Sequence, residues 1–263
     1  MSSTTTGIEW TNATWNPMTG CTKISTGCDH CYAAVLAHTK TRKNYLGHDP
    51  VKDTPENRTD PFAPRFWEER LDQPLRWRTP MRIFVNSMSD VFHAHFTKDM
   101  IRRVFEVMVA ADWHDFQVLT KRPERALRIA PELPWADNIW IGTSIESMEV
   151  ARRLDALKQI TQASVLFVSA EPLLGDVSAL DFRGIQWVIG GGESGGGYRA
   201  VDPAWARSLR DRCRQQRVAF LWKQWGGANS KSGGRELDGR FHDQYPRVHP
   251  VDRDARRPLA AAG

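Results

Sequence analysis

Six short runs of β-branched and aromatic residues, each followed by an amphipathic or polar stretch, leave this chain few ways to fold. They lie at 82–86, 116–119, 138–141, 165–168, 186–189 and 218–221. Their spacing suits one helix per strand, the pattern of βα units around a parallel sheet. A seventh, earlier strand is expected at 13–16. Between Thr97 and Ala111, apolar residues recur at helical spacing behind a capping threonine. A second helix is expected over about 147–160, and a third starts at Asp202-Pro203, a capping residue followed by proline at the first helical position. The fold class is therefore α/β, an incomplete parallel (βα) barrel of about six to seven strands.

The sequence turns polar or glycine-rich directly after nearly every predicted strand. These turns are Ser87-Met88-Ser89-Asp90, Thr120-Lys121-Arg122-Pro123, Gly142-Thr143-Ser144, Ser169-Ala170-Glu171-Pro172, Gly190-Gly191-Gly192-Glu193 and Lys223-Gln224-Trp225-Gly226. In a parallel barrel or sheet the carboxyl ends of the strands share one face, where ligands bind. The active site is expected there, and a strand at 13–16 delivers the segment after it to the same face.

That segment holds three of the four cysteines, Cys21, Cys28 and Cys31, spaced C-x6-C-x2-C. Such crowding, in a chain expected to be cytosolic, points to metal binding or catalysis rather than to disulfides. Thiolates are the usual ligands of iron–sulfur clusters, and a glycine-bearing loop can converge three of them on one [4Fe-4S] cubane, leaving one iron open. Cys213, on the Asp202 helix, reads as a small buried residue. Two other readings stay open: a closed zinc Cys3His site using His30 or His38 in a nucleic-acid-binding module, and a non-catalytic iron–sulfur protein for electron transfer or sensing.

At 263 residues and 41% hydrophobic content, the chain can build one large domain. No apolar run approaches a membrane span, and residues 1–7 lack a secretory apolar segment, so a cytoplasmic protein with no membrane partner is expected. The expected organisation is a barrel over 1–226, interrupted by a charge- and proline-rich insertion at 38–80, and an irregular basic extension over 227–263. The net charge of +5 gathers in 207–217 and in a tail with Arg247, Arg253, Arg256 and Arg257. It reads as either a solvated surface or a nucleic-acid surface. Trp67, Trp77, Trp113 and Trp135 are expected in the core or a lid rather than as base-stacking platforms.

The sequence resembles the radical S-adenosylmethionine superfamily, and more closely the phage-associated three-cysteine-motif family, whose members have no assigned reaction. Beyond the cysteines, the resemblance rests on Ile8-Glu9-Trp10-Thr11, Trp15-Asn16-Pro17, Phe84-Val85-Asn86-Ser87-Met88-Ser89-Asp90, Leu119-Thr120-Lys121-Arg122-Pro123, Gly142-Thr143-Ser144, Ser169-Ala170-Glu171-Pro172-Leu173, Gly190-Gly191-Gly192-Glu193-Ser194 and Trp222-Lys223-Gln224-Trp225-Gly226. The usual superfamily spacing is C-x3-C-x2-C; here the first interval is six residues, and only Cys28 to Tyr32 keeps the usual pattern.

The resemblance implies a [4Fe-4S] cluster on Cys21, Cys28 and Cys31, and S-adenosyl-L-methionine cleaved to a 5′-deoxyadenosyl radical that abstracts hydrogen. It also implies a reductant protein such as flavodoxin or ferredoxin; together with the basic charge and abundant tryptophan it points to a nucleic acid or nucleotide as substrate, in modification or repair, with a peptide or small metabolite left open. Ser87, Ser89 and Asp90 occupy the place where the superfamily holds the cofactor's amino group. Lys121 or Arg122 would pair with its carboxylate, and Thr143, Ser144 and Glu171 would hydrogen-bond the ribose. Gly190 and Gly191 would let the backbone approach adenine or substrate, and Glu193, Lys223 and Gln224 would contact substrate. Oligomeric state is not legible.

Overall fold

A computed structural model describes residues 2–229 and 231–247. The expected irregular tail beyond these, with Arg253, Arg256 and Arg257, lies outside the described residues. The sheet has seven strands in sequential order: β1 (Ala13–Trp15), β2 (Arg82–Val85), β3 (Asp115–Thr120), β4 (Ile139–Ser144), β5 (Val165–Ala170), β6 (Trp187–Gly191) and β7 (Ala219–Gln224). Every neighbouring pair is parallel. All seven expected strands are present, and β4 and β5 run further than the apolar residues alone indicate. Polar residues extend them because each meets a paired neighbour, Thr143 beside Thr120 and Ser144 beside Ser169.

Side-chain alternation sorts each strand between two layers. Outward residues such as Ile83, Val118, Ile141 and Val188 join a large core with the helices. These are α1 (Tyr32–His38), α2 (Lys98–Ala110), α3 (Pro123–Ile129), α4 (Arg153–Lys158) and α5 (Pro203–Gln216). Thr97 and Asp202 cap α2 and α5, accepting from the Met100 and Ala204 amides at 3.2 and 2.7 Å. The helix expected over 147–160 divides into a 3-10 turn, Met148–Val150, followed by α4.

Inward residues form a second, aromatic cluster of Trp10, Phe84, Trp140, Phe167 and Trp187, joined by Ile189 and Leu221. Trp10 lies 4.6 Å from Phe84 of β2 and 6.2 Å from Trp187 of β6, centroid to centroid. Four strand spacings separate β2 from β6, about 19 Å in a flat sheet. One tryptophan touches both because the sheet curls into an open barrel with an aromatic floor. Both edges are covered: Ser3 pairs antiparallel with Thr14 of β1, and Asp243 with Leu221 of β7.

The expected insertion holds three short helices (Arg42–Leu46, Pro55–Thr59, Gln73–Arg76) and a strand, Arg65–Phe66, that pairs antiparallel with Met18–Thr19. The Trp15 indole donates to the Arg70 carbonyl at 2.7 Å, and the Cys21 amide to the Phe62 carbonyl at 3.1 Å. The segment thus buttresses the cysteine loop from the β1 side. Trp67, 3% exposed, is a core residue of this buttress, whereas Trp77, Trp113 and Trp135 pack against the main core from its margin. Among the described residues, no helix is long and apolar enough to cross a membrane.

Gly142 faces the interior, where a Cβ would stand 2.5 Å from the Phe167 ring. Gly142→Ala should therefore lower unfolding free energy by about 1–3 kcal/mol through overpacking. At Gly196 a Cβ meets nothing within 4 Å, and the same substitution should shift stability by less than about 1 kcal/mol. Urea denaturation of both variants checks this, and equal shifts would refute the inward placement of Gly142.

Candidate functional site

The cysteine segment leaves β1 through a turn that requires glycine. Gly20 has φ 84°, and a Cβ there would lie 2.3 Å from the Ala63 carbonyl oxygen. Its amide donates to the Met88 carbonyl at 2.9 Å, and its own carbonyl accepts from the Ser89 hydroxyl at 2.6 Å. The chain then forms a 3-10 turn at Thr26–Cys28 and enters α1 directly after Cys31. Cys21, Cys28 and Cys31 are free and partly exposed, whereas Cys213 is wholly buried in α5, facing the helix core as expected.

Three buried carboxylates from the strand ends fasten this segment across the mouth of the barrel. Asp90 accepts from the Thr120 hydroxyl at 2.7 Å, the Lys121 amide at 3.0 Å and Arg122 Nη1 at 2.9 Å. Arg122 in turn reaches the Cys21 sulfur at 3.5 Å and the Thr22 carbonyl at 3.0 Å. Glu146, just past β4, is wholly buried between Lys121 Nζ at 2.9 Å and Arg153 Nη1 at 2.8 Å, and it accepts from the Ser25 hydroxyl. Glu193, after β6, accepts from Arg199 Nη2 at 2.5 Å, and His30 Nδ1 lies 2.9 Å from its other oxygen. Arg199 also donates to the Thr26 carbonyl at 3.0 Å.

A fourth group, Glu171, Lys223 and Gln224, lies beside these without touching the cysteine segment. Lys223 Nζ stands 2.5 Å from Glu171 Oε1, and Gln224 donates to the same oxygen at 3.3 Å and to Ser194 at 3.0 Å. Tyr32 donates to the Ser87 carbonyl, and the Ser87 hydroxyl is held by Asn16. Of the remaining expected residues, Thr143 is buried and donates to the Thr120 carbonyl at 2.8 Å, while the Ser144 carbonyl accepts from Arg153 at 2.9 Å. The bare Cα of Gly190 faces Trp222 and Leu209 on the helix side, whereas Gly191 faces Glu171.

Sequence reasoning did not find Glu146, Arg153, Arg199, Ser25, Thr22 or His93 as parts of this site. Only Glu146 carried a signal, as an acidic residue two places beyond a polar strand end.

Charge balance follows from these contacts. Burial favours a neutral Glu146, but Lys121, Arg153 and Ser25 together hold its carboxyl below the usual range. Glu193 is brought to about 2 against its burial by Arg199 and His30. Burial, then Asp90, raises the Cys21 thiol to about 11 despite Arg122. Among the described residues, no group of three or more His, Cys, Asp and Glu side chains is placed to hold a single metal ion. His30 meets Glu193 through Nδ1, and His38 meets the Ala34 carbonyl and Asp60, so both histidines of the zinc reading have partners other than the thiols. The donor set fits a cluster of iron better: three unpaired thiols on one segment, with the Arg122 guanidinium beside one sulfur to offset thiolate charge.

A family model described as "Protein of unknown function (DUF5131)" matches residues 5–246. A comparison with curated proteins found no match. Among solved structures, spore photoproduct lyase complexed with dinucleoside spore photoproduct is similar at 12% identity and TM-score 0.49, covering 83% of this chain and 65% of that one. A mutant of that lyase with bound AdoMet and the same dinucleoside matches at 13% identity and TM-score 0.42, covering 79% of this chain and 62% of that one. The chain thus spans less than two thirds of the length of the structures it matches.

His93, buried beneath the cysteine segment, accepts at Nδ1 from the His95 amide at 3.2 Å, so its proton sits on Nε2, 2.9 Å from the Thr22 hydroxyl. Burial, then Arg122 and His95, brings its pKa from 6.5 to about 4. The folded state therefore resists protonation: the stability present above the unfolded pKa is lost as pH falls from 6.5 towards 4. Between pH 7.5 and pH 5 this group alone should cost about 2 kcal/mol. Urea titrations at both values should show His93→Gln losing less stability on acidification by about that amount. An identical acid dependence in wild type and variant would exclude His93 as the sensitive group.

Proposed function

The chain belongs to the DUF5131 family, whose description assigns no reaction, and from the site itself we propose a radical S-adenosylmethionine enzyme that modifies or repairs a nucleic acid or nucleotide. The observation that carries this reading is the placement of three free thiols on one segment, fastened across the carboxyl ends of a parallel barrel by Arg122, Glu146 and Glu193. A closed structural metal knuckle has no need of such a basin of strand-end polar groups, and neither does a simple electron carrier. In this reading Cys21, Cys28 and Cys31 hold a [4Fe-4S] cluster. When bound with S-adenosylmethionine, the cluster supplies one-electron cleavage of the sulfonium and a carbon radical able to abstract hydrogen.

The remaining work belongs to the chain's own residues. Asp90 aims Arg122, whose second guanidinium nitrogen holds the Thr22 carbonyl while the first meets Cys21, so the charge of one thiolate is balanced inside the protein. Glu146 and Glu193 hold Ser25 and His30, fixing both ends of the turn that carries Cys28. Ser87, Ser89, Lys121 and Ser144 frame the cofactor through the backbone and side-chain bonds they already make, while Thr143, turned to the helix side, supports the rim through its bond to the Thr120 carbonyl. Glu171, Lys223 and Gln224 form the polar wall toward substrate, and Gly191 leaves room beside Glu171. Gln224 Oε1 is a buried acceptor with no donor among the described residues, which suits a ligand N–H or O–H. Residues 1–226 carry this chemistry with the 38–80 buttress, Asp243 and Tyr245 close the β7 edge, and a flavodoxin- or ferredoxin-like protein supplies the electron. The basic balance of the chain favours a polyanionic substrate.

Anaerobic reconstitution should load about four irons per chain. Cys21→Ala, Cys28→Ala and Cys31→Ala should each lose the cluster, and Cys213→Ala should keep it. With dithionite and S-adenosylmethionine, the loaded protein should release 5′-deoxyadenosine and methionine. Zinc saturating the native site, or a loaded cluster whose spectrum ignores the cofactor over hours, would sink the proposal.

Arg122→Ala strands the Asp90 carboxylate, and breaking such a buried pair costs about 3–5 kcal/mol. Its thermal midpoint should fall, and its cluster should be lost to chelator faster than that of wild type. Equal chelation rates would show that Arg122 does not brace the cysteine segment.

A further inference from the structure

A groove of about 1160 Å3 lies at the opposite end of the strands from the cysteines, against the amino ends of β6 and β7 and the last turns of α5. Five arginines line it, Arg210, Arg214, Arg217, Arg240 and Arg247, against two aspartates. The aspartates are spoken for: Asp211 pairs with Arg210 at 2.8 Å, and Asp238 is shared by Arg207 at 2.8 Å and Arg210 at 2.5 Å. Arg217, Arg240 and Arg247 have no ion pair among the described residues, and Arg214 has only a longer-range attraction to Asp211. Four like charges gathered around one concavity repel one another, and an anion in the groove relieves that repulsion.

Two details separate this groove from an ordinary solvated surface. Arginines near a helix carboxyl end complement its dipole, which accounts for Arg214 and Arg217. It does not account for Arg240 and Arg247, which arrive from the segment after β7. Arg217 also stands at φ 58°, a left-handed C-cap position that favours glycine. His242 lines the same groove with Nε2 buried and unpartnered among the described residues.

The groove offers charge but little ring surface for stacking: His242 stands edge-to-face against Phe220, centroids 5.7 Å apart. Phe220 is buried, and Tyr245 is held between Trp187, centroids 5.1 Å apart, and the Arg82 guanidinium at 3.9 Å. Unpaired bases are gripped largely by stacking, whereas a duplex backbone is gripped by charge and hydrogen bonds to phosphate without stacking. We propose that this groove docks the phosphodiester backbone of double-stranded nucleic acid, remote from the cysteine site; the inference rests on the nucleic-acid reading given above and adds where the polymer is held.

The test is fluorescence anisotropy of the full chain with labelled 25-bp duplex across a salt series, comparing wild type, Arg214→Gln/Arg240→Gln, and Arg128→Gln/Arg152→Gln, which removes two surface charges elsewhere. Matching thermal midpoints establish that the variants are folded. The groove variant should bind at least about tenfold more weakly at low salt, with the slope of log K against log salt reduced by about 1.8, or about 0.9 per lost phosphate contact. The distant variant should match wild type, and millimolar inorganic phosphate or mononucleotide should displace duplex no better than equal ionic strength does.

Equal weakening by both variants, or unchanged binding by the groove variant, would overturn the groove while leaving nucleic acid as substrate. Displacement by micromolar phosphate would assign the groove to a small anion instead. Failure of wild type to bind any duplex would overturn the groove, and radical cleavage of S-adenosylmethionine would still test the enzyme reading separately.

Discussion

Glu146 is a carboxylate with no exposure to water, held between Lys121 from the end of β3 and Arg153 from the start of α4, with Ser25 of the cysteine segment donating to it. Burying three charges together adds little net stability, because desolvation consumes most of the Coulombic gain. Removing any one of them is expensive, since the others then stay buried without compensation. Such a cluster therefore acts less as glue than as a register mark: it is satisfied only when strand end, helix start and cysteine turn meet in one arrangement. Asp90 with Arg122, and Glu193 with Arg199 and His30, repeat the device at two other points around the rim. Gly27 shows how close the fit is, since a Cβ there would come within 2.4 Å of the Glu146 carboxylate and 2.8 Å of Lys121 Nζ.

The barrel has only one end at which such a site can form. Its inner face is plugged by Trp10, Trp140, Phe167 and Trp187, and the gap between β7 and the chain before β1 is bridged by Tyr245, whose hydroxyl donates to the Glu9 carbonyl at 3.2 Å. Polar residues at and just beyond the strand ends gather at the other end, where Arg122, Glu146 and Glu193 meet the cysteine segment. Aromatic floor and polar rim arise from the same alternation: Trp140, Gly142 and Ser144 are successive inward residues of β4, reading from plug to rim.

This alternation is also why so much of the fold was legible. Strands with β-branched outward faces and a polar turn after each are local patterns, and all seven appear at the expected places. Local patterns fail where pairing decides. Gly142-Thr143-Ser144 reads as a turn, yet it stays extended because Thr120 and Ser169 stand beside it. Pro123–Ile129 and Tyr32–His38 escaped notice because each is a short helix starting inside a segment already read for its chemistry. The site was legible as a location but not as a network. Lys121, Arg122, Asp90 and Glu193 could be singled out as strand-end charges, but nothing in the sequence pairs Glu193 with His30, 163 residues away, or Glu146 with Ser25, 121 residues away. Those partners exist only once the sheet has curled.

The separation of the two ends bears on what the molecule handles. Strands of five or six residues at about 3.3 Å each put roughly 20 Å between the arginine groove and the cysteine rim. A mononucleotide is too small to touch both. A duplex advances about 3.4 Å per base pair, so backbone held at the groove leaves nucleotides some six pairs away level with the rim. Contacts at the groove then raise the local concentration of a distant nucleotide at the site without contributing to its chemistry, the arithmetic of a tethered second binding event. An enzyme arranged as proposed would gain affinity from sequence-independent charge at one end and keep its selectivity in the polar wall of Glu171, Lys223 and Gln224 at the other.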